Sequence, residues 1–580
     1  MISDINMKCF FFFLLLIPTL VFSNYDENNE VKRIYSHLLI RDYSTAIEEC
    51  EKALFYFPES TRLERALILA LAESGKDEEA IAKWKQWRKK NEKEDHDLLE
   101  TIAWGILNRT ENSPQFAINT TSLLSAFFTQ DVRAVKILKS FISSPNAILR
   151  AGAVQLSASY HDATLIHEIK RLLQEEKVWF VRLEVIKALG NMQIKECRED
   201  LKKIISHSRS GAEEKAVAIA ALVSMYDRVD KNELEQLIHS KRAGLRQLAC
   251  QVIAHLDLRS AVPSIIEFLA DTSPDVRIAA LNTLYLIGLQ HLSPDCLEKI
   301  IELMGDHHPV VSITAAWITM RYHPTLGKLT LKKWIYSSDE PSRRFAAYII
   351  ASSGTAGEDL VIEALKMSSD PFVKANLALG MIGHTSHTKL AAETLYSFLL
   401  LNTKKIMKGP SGNPLFSVLA PTEMRHTPQT QQYPMLIDQQ VRLEIYSILA
   451  KLEFAKAEDA IKTFLKHQIL GITFAAGSAL LQEGGIGTIE ILRTLLQESN
   501  EMVRIQAAFV LALSGKEGEA IEVMQKGYLK VDREMKMNIL GALGQIGDKT
   551  SVPFLIELLD EPYQALRVVA ASALIQCLYH

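Results

Sequence analysis

Small and apolar residues recur along most of this chain in short helical faces, most of them introduced by a basic residue. From 182 to 190 the order is Arg-Leu-Glu-Val-Ile-Lys-Ala-Leu-Gly, and from 504 to 515 it is Arg-Ile-Gln-Ala-Ala-Phe-Val-Leu-Ala-Leu-Ser-Gly. Apolar positions three and four apart make one stripe on a helix, and the Ala and Gly among them let a neighbouring helix approach closely. The stretches 260–288 and 551–577 align at a constant offset: Val262-Pro263 falls on Val552-Pro553, Ile266-Glu267 on Ile556-Glu557, Leu269 on Leu559 and Arg277 on Arg567, every pair 290 residues apart. A shared offset requires a whole number of repeats, and nine units of about 32 residues supply it.

With Arg277 as a ruler, the equivalent positions are Arg150, Arg182, Lys215, Arg246, Arg277, Ser312, Arg344, Lys374, Arg442, Gly471, Arg504, Lys536 and Arg567. The steps are 32, 33, 31, 31, 35, 32, 30, 68, 29, 33, 32 and 31, so one interval breaks the rhythm. Proline often stands just before the basic residue, at Pro145, Pro274, Pro309, Pro341, Pro371 and Pro562, where a helix's first turn needs no amide donor. Asp271, Asp306, Asp339 and Asp370 precede four of these prolines and suit the capping region. The pattern predicts an all-α chain, and its resemblance to HEAT repeats implies an α-solenoid that coils as a superhelix of antiparallel helix pairs, each second helix beginning near its basic residue.

The recurrence resembles the HEAT-repeat family, in particular the short units of bacterial and bilin-lyase-like HEAT proteins, over residues 130–580. That resemblance implies structural roles for Arg150, Arg182, Arg246, Arg277, Arg344, Arg442, Arg504 and Arg567, in a polar ladder between repeats that uses acidic turn residues. Upstream, Asp42-Tyr43-Ser-Thr-Ala46-Ile47 is echoed by Lys76-Asp-Glu-Glu-Ala80-Ile81, 34 residues from Ala46 to Ala80. With Ala53 and Pro58 this is similar to tetratricopeptide repeats, although Trp84 and Trp87 depart from the residues usual there. The expected division is a signal peptide at 1–23, a tetratricopeptide-like helical region at 24–112 and a HEAT solenoid at 113–580.

The broken interval holds about 37 extra residues, concentrated at 408–434, where Pro410, Pro414, Pro421, Pro428 and Pro434 interrupt any helix. A loop of this length without regular structure is either functional or disordered. Leu415, Phe416, Val418, Leu419, Met424 and Tyr433 form its candidate partner-binding set; the open alternatives are partner contact, lining of the solenoid's groove, and a merely mobile insertion.

The first 23 residues read as a secretory signal: an apolar run from Cys9 to Phe22 follows Lys8, Val21 and Ser23 suit a peptidase before Asn24, and Met7 makes a cleaner start than Met1. The run is shorter than the roughly 20 residues a membrane helix needs. Five further cysteines, Cys50, Cys197, Cys250, Cys296 and Cys577, are too widely spaced for a disulfide framework or a zinc site and read as buried thiols. Across 580 residues, 48% hydrophobic and 23% charged, the net charge is −4, which excludes wholesale disorder and any global pull toward nucleic acid. The basic and aromatic run 83–90 is best explained by burial of Trp84 and Trp87 with the lysines in water. No phosphate-binding glycine loop, His-Glu-x-x-His, paired CxxC or G-x-S-x-G elbow occurs. The expectation is an exported, periplasmic or secreted, non-catalytic scaffold that binds protein partners, without cofactor, metal or nucleic acid, in an envelope or secretion-associated complex. The alternatives are an adaptor tethered to a membrane by an uncleaved N-terminal segment, and a bilin-lyase-like enzyme.

Overall fold

The computed structural model describes residues 26–91, 95–110, 113–288, 293–382, 387–401, 404–422, 433–459, 462, 486–512 and 518–579. The expected signal segment, Met424 and Gly471 lie outside them. The first helices are α1 (Glu27–Leu39), α2 (Tyr43–Tyr56), α3 (Thr61–Glu73), α4 (Asp77–Lys90), α5 (His96–Arg109) and α6 (Phe116–Phe128). Beyond them the second helices of the repeats are α7 (Ala147–Ser157), α8 (Trp179–Asn191), α9 (Ala212–Ser224), α10 (Ala243–His255), α11 (Pro274–Ile287), α12 (Pro309–Thr319), α13 (Glu340–Ala351), α14 (Pro371–Met381), α15 (Tyr433–Lys451), α16 (Glu501–Ala512), α17 (Arg533–Ile546) and α18 (Gln564–Tyr579). First helices alternate with them, as Val262–Phe268 precedes α11 and Pro294–Glu302 precedes α12. The chain is an α-solenoid of such antiparallel pairs.

The basic ruler residue has a fixed place: it is the fourth residue after the N-cap. Arg150 follows Asn146, Arg246 follows Arg242, Arg277 follows Ser273 and Lys374 follows Asp370. From there the guanidinium reaches back to the carbonyl six residues earlier, Arg150 to Ser144 at 2.9 Å, Arg182 to Glu176 at 3.1 Å, Arg246 to Ser240 at 2.9 Å and Arg277 to Asp271 at 2.7 Å. Its other nitrogens donate to an acid in the next repeat: Arg150 to Glu176 (2.8 and 3.1 Å), Arg182 to Glu214 (2.8 and 2.6 Å), Arg246 to Asp271 (2.6 and 2.8 Å) and Arg277 to Asp306 (2.8 and 2.9 Å). Glu176 and Asp271 each take one arginine on the carboxylate and the next arginine on the backbone carbonyl, which links two consecutive repeats through one residue.

Two ruler positions need correcting. At the tandem Arg343-Arg344 it is Arg343 that stands four residues after its N-cap, Asp339, and donates to the Ser337 carbonyl at 2.8 Å. With Arg343 in place, the steps from 312 and to 374 are both 31. Arg344 turns inward instead, buried beside Asp370 with Phe372 under its guanidinium at 5.0 Å. Arg442 lies nine residues into α15 rather than four after an N-cap; among the described residues it donates to Asp438 and to the Leu399 and Lys404 carbonyls. Among the acids, Asp339 and Asp370 are N-caps, whereas Asp271 and Asp306 sit two residues earlier and serve the ladder.

Close approach of second helices follows from the small residues. A Cβ on Gly380 of α14 would stand 2.6 Å from Ala351 Cβ and 2.8 Å from the Tyr348 carbonyl of α13. Ala280 and Ala508 are fully buried.

The residues 408–434 are not devoid of regular structure. Strands β1 (Ile406–Pro410) and β2 (Ser417–Pro421) pair antiparallel, with Met407 opposite Ala420 and Gly409 opposite Val418. Pro410 and Pro421 close the strands' ends, Pro414 lies in the tip, and Pro434 falls in the first turn of α15, so each occupies a place that tolerates its missing amide.

The chain forms two compact units, and they do not follow the expected boundary at residue 112. One is Leu138–Gly527; the other joins Met1–Ile137 to Tyr528–His580. Within the latter, α18 packs on α5 and α6 as well as on α17. The buried Ser572 hydroxyl donates to the Ser125 carbonyl at 2.7 Å, and Lys85 pairs with Asp560. Ala46, Ala53, Ala80, Trp84 and Trp87 are buried there, while Lys83, Lys89 and Lys90 are exposed. The five cysteines are buried and none is in a disulfide. Burial pushes the Cys50 and Cys577 thiols up to about 12. No helix among the described residues is long and apolar enough to cross a membrane.

Gly380→Val should lower stability by about 1–3 kcal/mol through overpacking, read from denaturant unfolding followed by circular dichroism. Acid should weaken the ladder. Burial is the largest influence on Glu176 and Asp271 and raises both carboxyls, yet the Arg150 and Arg246 bonds with neighbouring backbone N–H groups outweigh it and leave both below their ordinary 4.5 and 3.8. A depressed carboxyl stabilises the fold above its unfolded value and ceases to as pH falls through the folded one. Stability should therefore fall as pH drops below those ordinary values, and the Glu176→Gln, Asp271→Asn double variant should show a flatter pH profile of denaturation midpoints.

Candidate functional site

The hairpin lies along the face of the second helices in Leu138–Gly527. Its root is set by α15: Asp438 accepts the Ile406 N–H at 2.7 Å and is itself held by Arg442 at 3.0 Å, while Arg442 also binds the two carbonyls that lead into β1. One helix away, the fully buried Asn376 of α14 reads the backbone of β2. Its side-chain oxygen accepts the Leu419 N–H at 2.8 Å and its amide donates to the Leu419 carbonyl at 2.9 Å and to Phe372 at 2.8 Å. One asparagine thus satisfies both groups of an extended residue, as a neighbouring strand would.

Farther along, Phe416 enters an aromatic cluster, edge-on to Trp317 at 4.9 Å, with Phe345 at 5.8 Å and Tyr348 at 6.3 Å. Such edge-to-face pairs add about 0.5–1.5 kcal/mol beyond area burial. Burial raises the Tyr348 phenol. Trp317 packs in turn on Tyr285 at 4.2 Å.

The tip is pinned by amides. Asn413, fully buried, donates to Asn282 Oδ1 at 2.9 Å and to Thr314 Oγ1 at 3.1 Å, and accepts from Asn282 Nδ2 at 3.0 Å. Its oxygen also accepts the Leu415 N–H at 3.0 Å, which fixes the turn. Gly412 adopts φ +86 beside Val310, where an added Cβ would stand 3.1 Å from Val310 Cγ2. Buried amides in this number hold one register, because any slip leaves polar groups without partners.

Of the candidate partner-binding residues, Val418 and Leu419 are buried and Phe416 is partly buried, all against this chain's own helices. They are spent on the groove rather than offered to solvent, because the second helices supply apolar and amide groups that fit them. Leu415 keeps 37% exposure. Met424 lies outside the described residues, and Tyr433 begins α15. Asn282, Asn376, Asn413 and Thr314 were not singled out by sequence. The available signal was a polar residue standing two or five positions after the ruler residue, on a face otherwise small or apolar.

Next to the tip, between α10 and α11, lies a cavity of about 440 Å³ bordered by Gln247, Gln251, Ala254, Ile278 and Leu286 with Gly412 and Leu415 from the hairpin. Among the described residues no three metal-binding side chains come together.

Paired helices, a continuous face of second helices and the arginine ladder define an α-solenoid of the HEAT type. A family model of HEAT repeats matches residues 232–318 and 489–575, and the chain contains HEAT repeats over those segments. No curated protein matches the chain in sequence. Among solved structures it is similar to the CpcE–CpcF complex of phycocyanin lyase from Nostoc, at 17% identity over 45% of this chain and 94% of that chain, TM-score 0.26. It is similar also to the myosin chaperone UNC-45 from C. elegans in complex with an Hsp90 peptide, at 12% identity over 95% and 81%, TM-score 0.36. A third is the karyopherin Kap121p bound to the extreme C-terminus of the protein phosphatase Cdc14p, at 12% over 94% and 78%, TM-score 0.30.

Asn282→Ala should cost about 1–3 kcal/mol, since it strips the buried Asn413 amide of two of its bonds. Hydrogen exchange at Leu415 should accelerate, while exchange in α7 and α8 stays as in the parent chain.

Proposed function

We propose that this chain is a non-catalytic scaffold that binds protein partners by holding extended segments on the face of its second helices. The supporting observation is the double hydrogen bond of Asn376 to the backbone of Leu419. A side-chain amide that satisfies both the N–H and the C=O of one extended residue recognises backbone, and backbone is common to any extended peptide. The aromatic cluster of Trp317, Phe345 and Tyr348 around Phe416 then supplies the side-chain preference. A face of this kind engages a partner over length without a deep pocket.

Export is part of the same proposal. It rests on the basic, apolar and small-residue order of 1–23, and a periplasmic or secreted scaffold in an envelope or secretion-associated complex is the reading that fits it. Its non-catalytic character rests on the motifs missing from the sequence.

A chain whose residues 407–420 are replaced by a short Gly-Ser linker should bind the synthetic, fluorescein-labelled peptide 406–421 in trans, read by anisotropy. Asn376→Ala in the receptor should weaken that binding by about tenfold, the loss of one well-placed recognition contact. A receptor that keeps its helical circular dichroism and shows no saturable binding would contradict the proposal.

A further inference from the structure

We infer that the cavity beside the hairpin tip is a specificity subsite for an extended partner peptide, taking an aliphatic side chain with a cationic residue next to it. The inference rests on the proposed function and names the chemistry of its partner.

Continuity with the hairpin interface carries it. Gln251 stands five residues after Arg246, the place that Asn282 holds after Arg277 in the following repeat. Asn282 pins the hairpin tip through its amide. Gln251, one helix along the same face, lines the cavity, and so does Gln247 one turn earlier on α10. Neither side chain makes a hydrogen bond to the described residues. The groove's amide row therefore continues one repeat past the point where the chain's own occupant stops.

The wall between those amides is aliphatic. Ala254, Ile278, Leu286 of α11 and Leu415 of the hairpin line the cavity, and the two leucines keep 56% and 37% exposure. Exposed aliphatic carbon facing a cavity of about 440 Å³ favours an occupant that removes it from water. Asp275, in the first turn of α11, lines the same cavity, is exposed, and has no cation partner among the described residues. A carboxylate at that rim selects a Lys or Arg beside the aliphatic residue. An extended segment that follows the hairpin's line across α10 sets its backbone on Gln251 and Gln247, its aliphatic side chain between Leu286 and Leu415, and its cation at Asp275.

The test uses the full chain on an array of synthetic decapeptides randomised around a central position. Retained peptides should be enriched in Leu, Ile or Met at the centre with Lys or Arg within two positions. Ala254→Trp, which fills the cavity, and Leu286→Glu, which charges an exposed wall, should each weaken binding by about tenfold. Asp275→Asn should abolish the Lys and Arg preference and leave the aliphatic one. Binding that both wall variants leave unchanged would overturn the subsite, as would retained peptides without the aliphatic and cationic pattern. Retained peptides lost on Asn376→Ala but indifferent to Ala254→Trp would also overturn it while leaving the groove reading intact. No retention at all would refute the subsite, and the trans-binding experiment with peptide 406–421 judges the groove reading separately.

Discussion

Each helix pair in this molecule has an apolar side that it cannot cover alone, and the rest of the structure follows from how that side is covered. Neighbouring pairs do most of it: Ala and Gly at the second-helix contacts bring backbones close enough that Gly380 has no room for a Cβ. Far along the chain, α5 and α6 cover α18, so that repeat packs against helices more than 400 residues earlier in sequence. On the face of the second helices, the cover is the hairpin, whose Phe416, Val418 and Leu419 close over Trp317, Phe345 and their neighbours.

The arginine ladder plays a different part. Exposed ion pairs contribute little, and these guanidiniums are only partly buried, so their worth is positional. A guanidinium that bonds its own helix's preceding turn and the next repeat's acid fixes the rotation between successive pairs. Lys215, Ser312 and Lys374 show that a stack tolerates repeats without the arginine, as expected if close packing supplies the energy and the ladder supplies the register.

Repeat periodicity was legible because Arg150, Arg182, Arg246, Arg277 and Arg343 each follow their N-cap by four, a local rule that survives in a single sequence. The tandem Arg343-Arg344 blurred that rule by one position, since composition cannot say which of two arginines faces the turn. Pairing of Ser572 with Ser125 left no trace: the contact spans 447 residues, and two serines on small-residue helices carry no sign of each other. The hairpin was misread for a physical reason. Proline forbids a helix interior, but at strand ends, in a tip or in a helix's first turn it costs nothing, and five prolines in 408–434 include four placed in that way. The short apolar run Val418-Leu419-Ala420, closed by Pro421, was the available clue, and the amides of Asn282 and Asn376 were its counterpart on helices where small or apolar residues prevail.

A groove already filled by its own chain sets terms for any partner. The hairpin belongs to the same chain, and covalent linkage of this kind gives effective concentrations on the order of millimolar, so a segment competing for Asn376 and the aromatic cluster must bind far more tightly than the hairpin does in trans. The unfilled section over α10 escapes that competition. A partner that first engages Gln251, Leu286 and Asp275 meets no resident occupant, and from there its chain runs directly onto the hairpin tip held by Asn282. Displacing Asn413 from Asn282 and Thr314 releases the tip while Arg442 and Asp438 still hold the root. The same amides that make the hairpin a snug ligand therefore also define the order in which it would be lifted, tip first and root last.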